Sequence, residues 1–79
     1  MEQAVCDALL REALPQIDWQ ASSQMAEEGL LTSMDILVIL SVIYRKTRIR
    51  IPANEMKKEN FENPQGICAL CSRYENRRK

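Results

Sequence analysis

Between Met34 and Tyr44, nine of eleven residues are apolar, and only Asp35 and Ser41 interrupt the run. A bilayer span takes roughly 20 apolar residues, so this segment reads as a buried core element. Five of its residues are β-branched (Ile36, Val38, Ile39, Val42 and Ile43), which by propensity alone favours a strand. Three features outweigh that preference. The run is long for a strand, whose usual length is about 5–6 residues. Thr32, with Asp35 three residues on, has the spacing of a capping box with Asp in place of Glu. Arg45, Lys46 and Arg48 stand at the far end, where cations complement the helix dipole. The pattern therefore predicts a helix over residues 33–47.

A chain of 79 residues has room for one hydrophobic core, so the domain is taken as residues 1–79. Residues 2–14 read as a helix, with Val5, Leu9 and Ala13 inward, Ala8 beside them, and Glu2, Asp7, Arg11 and Glu12 on the wet side. A loop follows from Pro15 to about Leu31, with Ile17 and Trp19 as its apolar anchors. Its Ser22-Ser23 and Glu27-Glu28-Gly29 read as turn and surface. Arg48-Ile49-Arg50-Ile51 alternates with period two before Pro52. A single strand has nothing to pair with, so this stretch reads as an extended connector. Residues 54–59 are expected to form one or two helical turns, with Asn54 placed to cap them. Asn63 is a good N-cap and Pro64 a good first helical residue; Ile67, Leu70, Cys71 and Tyr74 then form the apolar stripe of a last helix. Phe61 anchors the short helix, and residues 75–79 read as a frayed basic tail. The expected fold is all-α: three main helices plus one short one, with a long first loop that lets the second helix pack antiparallel or crosswise to the first.

Composition narrows the function. Eleven basic and eleven acidic side chains cancel, which argues against a dedicated nucleic-acid binder. Without histidine there is no Ser-His or Cys-His nucleophile pair, and three cysteines are too few for a four-cysteine zinc site in one chain. No carboxylate pair points to general acid–base work and no glycine-rich phosphate loop is present, so the chain does not read as an enzyme. Three cysteines and an N-terminus without signal-peptide character fit a reducing cytoplasm. Cys68-x-x-Cys71 has a redox spacing, yet inside a helix Cys71, Cys6 and Cys68 read as small buried hydrophobes.

The candidate site follows from what surrounds the apolar helix. Glu28-Gly29-Leu30-Leu31-Thr32-Ser33-Met34-Asp35 puts a serine at its start. Taken alone, Ser33 reads as a capping or first-turn serine. Downstream come Ile49-Arg50-Ile51-Pro52, then Glu59-Asn60-Phe61, then Ile67-Cys68-Ala69-Leu70. In this order and spacing, the stretch from Glu28 to Leu70, more than half the chain, resembles the acyl and peptidyl carrier proteins, especially small stand-alone carriers. Their modified serine is followed by Leu or Met and often Asp, as in Ser33-Met34-Asp35.

The resemblance implies a small four-helix bundle of acyl-carrier type that works as a monomer. It implies a 4'-phosphopantetheine arm, transferred from coenzyme A to Ser33 by a phosphopantetheinyl transferase. The arm's thiol would carry an acyl or aminoacyl group as a thioester between an activating ligase and a downstream acyl-transferring enzyme, in fatty-acid or secondary-metabolite biosynthesis. The implied phosphodiester suits a helix N-terminus, where free N–H groups and the dipole favour an anion. Helical spacing puts Ile36, Leu40 and Ile43 at the centre of the inward stripe, with Leu37 and Tyr44 at its edge. Met34, Val38, Ser41, Arg45 and Arg48 then face outward near Ser33 and, with Asp35, form the implied partner-binding surface. Two readings stay open there. Met34 and Val38 are core residues of a helix apolar all round or a docking surface; Arg45 and Arg48 complement the dipole or meet a partner.

The chain departs from the family in two places. Thr32 stands where such carriers usually have Asp, and Val38, Tyr44, Arg45 and Arg48 stand where the outer face is usually acidic. The implied partner is therefore more apolar or more acidic than those of fatty-acid carriers. Two other readings remain: an unmodified carrier-like interaction module, and a helical bundle that binds an anionic partner through Arg45, Lys46, Arg48 and Arg50.

Overall fold

The fold is organised around α1 (Gln3–Ala13), which packs against both α2 (Ser33–Thr47) and α3 (Pro64–Glu75). In this computed structural model, which describes residues 1–75, these three α-helices are joined by loops and two 3₁₀ turns, and no strand is present among the described residues. The expected all-helical class is what forms. The segment expected as one short helix is instead two separate turns, Ala53–Glu55 and Lys58–Asn60, and Pro52, not Asn54, precedes the first. Residues 76–79 of the expected basic tail lie outside the described residues.

α1, expected over residues 2–14, is one residue shorter at each end, with Glu2 and Leu14 as its flanking residues, whereas α2 and α3 begin as their sequences predict. Thr32 is extended and its Oγ1 accepts from the Asp35 N–H at 3.2 Å, while the Thr32 N–H donates to Asp35 Oδ2 at 3.0 Å. The two bonds complete the capping box, and α2 spans the predicted residues. At α3, Asn63 Oδ1 accepts from the Gly66 N–H at 2.8 Å and Pro64 takes the first helical position.

The core mixes predicted and unpredicted residues. Leu10, Ile39, Ile43, Ile49, Phe61, Ile67 and Leu70 are almost wholly buried. On α1 the buried side is Cys6, Leu9 and Leu10, while Val5 and Ala8 are exposed. A stripe through a cysteine hides from a count of larger apolar residues. On α2 the buried side is Ile36, Ile39, Val42 and Ile43; Leu40 is half-buried and Leu37 exposed. A helix apolar nearly all round does not reveal its inner face through periodicity.

The first loop is tied down harder than Ile17 and Trp19 imply, and both of those are only half-buried. Met25, Ala26 and Leu31 are buried, and the Met25 N–H donates to the Glu62 carbonyl at 2.8 Å. The Asn63 side chain donates to the Ser23 carbonyl at 3.1 Å, so the cap of α3 also holds the loop. Gly29, at φ 79, makes the left-handed turn that brings Leu31 back to the core.

Cys6, Cys68 and Cys71 are all free thiols buried between α1 and α3. Contact with Cys71 and burial together push the Cys6 thiol up, and burial pushes Cys68 up. Such thiols pack as small hydrophobes. Glu55 ties the turns to α3: it accepts from the Tyr74 hydroxyl and faces Arg73 at 3.6 Å.

Candidate functional site

Ser33 is the first residue of α2 and is exposed. The capping box occupies the Thr32 hydroxyl and the Asp35 carboxylate, leaving the Ser33 side chain outside it. The Asp35 N–H meets Thr32 and the Ile36 N–H bonds to the Thr32 carbonyl at 3.0 Å. The N–H groups of Ser33 and Met34 have no protein acceptor among the described residues. An anion on the Ser33 oxygen thus meets two free donors and the positive end of the dipole. Asp35, the acid of the first turn, works against such an anion, although its two bonds hold it to the cap.

Beside Ser33 the outer side of α2 is apolar and bare. Met34 is 69% exposed, Leu37 47% and Val38 38%, and Leu30 in the preceding turn is 41% exposed. Ser41 and Arg45 continue this side toward the C-terminus, both exposed. Of the expected outward residues, Met34, Val38, Ser41, Arg45 and Arg48 are all exposed, whereas Asp35 is half-buried and engaged in the cap. Leu37, expected at the edge of the core, belongs to the outer side. The reading of Met34 and Val38 as core residues is thereby removed.

The C-terminal end carries a feature that the sequence did not announce. Arg48 lies just past α2 in the left-handed region, at φ 64 and ψ 13. Its guanidinium sits 5.5 Å from the centre of the Tyr44 ring, and that of Arg50 sits 5.1 Å from the same centre. Arg50 Nη2 also donates to the Tyr44 hydroxyl at 3.2 Å. Hydrogen bonding by Arg50 and Arg48, with their charge, holds the Tyr44 phenol below its ordinary value of 10.0. Lys46 points elsewhere, to Glu12 at 3.2 Å on α1.

A groove of about 630 Å³ lies away from this face, between α1, the first loop and the start of α3, lined in part by Leu10, Arg11, Trp19 and Pro64. Ser33 does not line it. Among the described residues there is no cluster of His, Cys, Asp or Glu able to hold a metal ion, and no helix long and apolar enough to cross a membrane.

No family model, curated protein or solved structure matches the chain.

Proposed function

We propose that the chain is a small carrier protein whose Ser33 receives a phosphopantetheine arm and whose α2 outer side docks the enzymes that load and unload it. The observation that carries this reading is Ser33 itself: exposed, first in a boxed helix, outside the box, with free N–H groups beside it. The order of motifs from Glu28 to Leu70 supports it, as does the all-helical bundle with its long first loop. Two 3₁₀ turns stand where such carriers have a short third helix.

The division of labour follows from the residues. Ser33 supplies the hydroxyl that attacks the β-phosphorus of coenzyme A; the bond between that phosphorus and the bridging oxygen breaks, and adenosine 3',5'-bisphosphate leaves. The free N–H groups of Ser33 and Met34 hold the resulting phosphodiester. The bound arm supplies the thiol for thioester chemistry; the chain itself contributes position and recognition. Met34, Leu37 and Val38 form the apolar docking strip, and Ser41, Arg45 and Arg48 extend it.

A second reading has its own observation. Thr32 replaces the usual acid, and the bare strip on α2 is a contact surface whether or not Ser33 is modified. In that reading the chain is an unmodified interaction module. Transfer from coenzyme A by a broad-specificity transferase separates the two. The carrier reading expects transfer to wild type and none to Ser33→Ala; the module expects none to either, with partner binding that survives Ser33→Ala.

A further inference from the structure

The C-terminal end of α2 gathers positive charge that the fold does not neutralise. Arg48 and Arg50 converge on one ring, and among the described residues neither they nor Arg45 has a carboxylate within ion-pair distance. Arg48 is also the one non-glycine residue with positive φ among those described. Glycine takes that conformation freely at a helix end, whereas an arginine there is strained. Complementing the helix dipole needs no such arrangement, because Arg45 and Lys46 already stand in the last turn. Both guanidiniums lie within cation–π distance of Tyr44, and two planar forks held near each other suit a bidentate acceptor.

We infer that this end of α2 is an anchor for carboxylates. Its occupant is a partner protein whose docking element carries an apolar ridge flanked by Asp or Glu side chains. The ridge covers Met34, Leu37 and Val38, and the carboxylates pair with Arg45, Arg48 and Arg50. The inference deepens the carrier reading and rests on its choice of docking face. Charge complementarity selects this occupant over a flat polyanion. Glu27 and Glu28 are exposed in the loop that precedes α2, and the chain's net charge is zero, so a membrane or nucleic acid meets repulsion as well as attraction. Three partly exposed side chains also fall far short of the roughly 800 Å² per partner of a standard stable interface, which fits a transient encounter steered by charge.

The test uses unmodified Ser33→Ala protein, labelled with ¹⁵N, so failure of the carrier chemistry leaves it intact. Three synthetic helical peptides share one apolar face and differ in polar face: Glu-rich, Gln-rich or Lys-rich. At low salt the Glu-rich peptide is expected to bind about tenfold or more tighter than the Lys-rich one, the preference fading as salt rises. The shifted amides are expected to run from Met34 to Arg50. The double variant Arg48→Glu, Arg50→Glu is expected to reverse the preference, and the Lys double variant to weaken it without reversal. Should the double variant misfold, Arg45→Glu, on the exposed helix surface, serves in its place and is expected to reduce the preference severalfold. Equal affinity for all three peptides, shifts mapping elsewhere, or a preference untouched by charge reversal would overturn the inference. So would tighter binding to vesicles of anionic phospholipid than to the Glu-rich peptide, or self-association of the chain at these concentrations.

Discussion

The two ends of α2 are built by different physics. At the start, Thr32 and Asp35 exchange two bonds across three residues, and every partner is local. At the end, Tyr44, Arg48 and Arg50 meet across a left-handed residue 48. Thr47 prepares that turn: its hydroxyl donates to the Ile43 carbonyl at 2.7 Å and accepts from the Ile49 N–H at 3.1 Å. The first end stabilises the helix and leaves Ser33 bare. The second holds two like charges together over one ring, at a left-handed residue whose N–H still bonds to the Tyr44 carbonyl. Where a fold accepts strain to place a side chain, that side chain is the first to examine for function.

The largest perturbation removes the support common to both ends. Ile39 is fully buried at mid-helix, and Ile39→Ala is expected to cost about 2–5 kcal/mol by urea denaturation. Val38→Ala, one residue away on the outer side, is expected to stay within about 0.5 kcal/mol. Similar losses for the two would remove the assignment of inner and outer sides.

A smaller pair of changes sets the ends against each other. Thr32→Ala breaks the capping box and is expected to destabilise by about 1 kcal/mol. Arg48→Gly relieves the left-handed strain and is expected to stabilise by up to about 1 kcal/mol, offset in part by the lost cation–π contact. The sign is the test: if Arg48→Gly destabilises as Thr32→Ala does, the second end is structural and carries no stored strain.

The smallest effect is a pH dependence confined to the second end. Tyr44 is held below 10.0 by Arg50 and Arg48, so its ionised form is favoured in the folded chain. A depressed folded-state value contributes stability above the unfolded value, and that contribution is lost as pH falls through the folded value. Wild type is therefore expected to gain on Tyr44→Phe as pH rises through the folded value toward 10, with the gain complete above 10 and little change near neutrality. A gap that stays constant with pH would mean that the guanidiniums do not face the phenol in solution.

What could be read in the sequence divides along the same line. Thr32 with Asp35 and Asn63 with Pro64 are local codes, and each predicts its cap residue by residue. The inner side of α2 was not legible because the segment is apolar all round, so Ile39 and Val42 could not be told from Leu37 and Leu40. Met25 and Ala26 were hidden in a polar loop with no period to mark them. Ser33 was legible as an exposed helix start. The Tyr44, Arg48 and Arg50 cluster was not, because it involves a left-handed Arg48 at a helix end where glycine is the usual signal.

The central claim is that Ser33 accepts a phosphopantetheine arm. The most direct measurement is the intact mass of folded protein after incubation with coenzyme A, magnesium and a broad-specificity phosphopantetheinyl transferase, with Ser33→Ala and Thr32→Asp in parallel. The account predicts one added phosphopantetheine on wild type and on Thr32→Asp, and none on Ser33→Ala. No addition to folded wild type, whether or not Thr32→Asp is modified, or an addition that persists in Ser33→Ala, would contradict it.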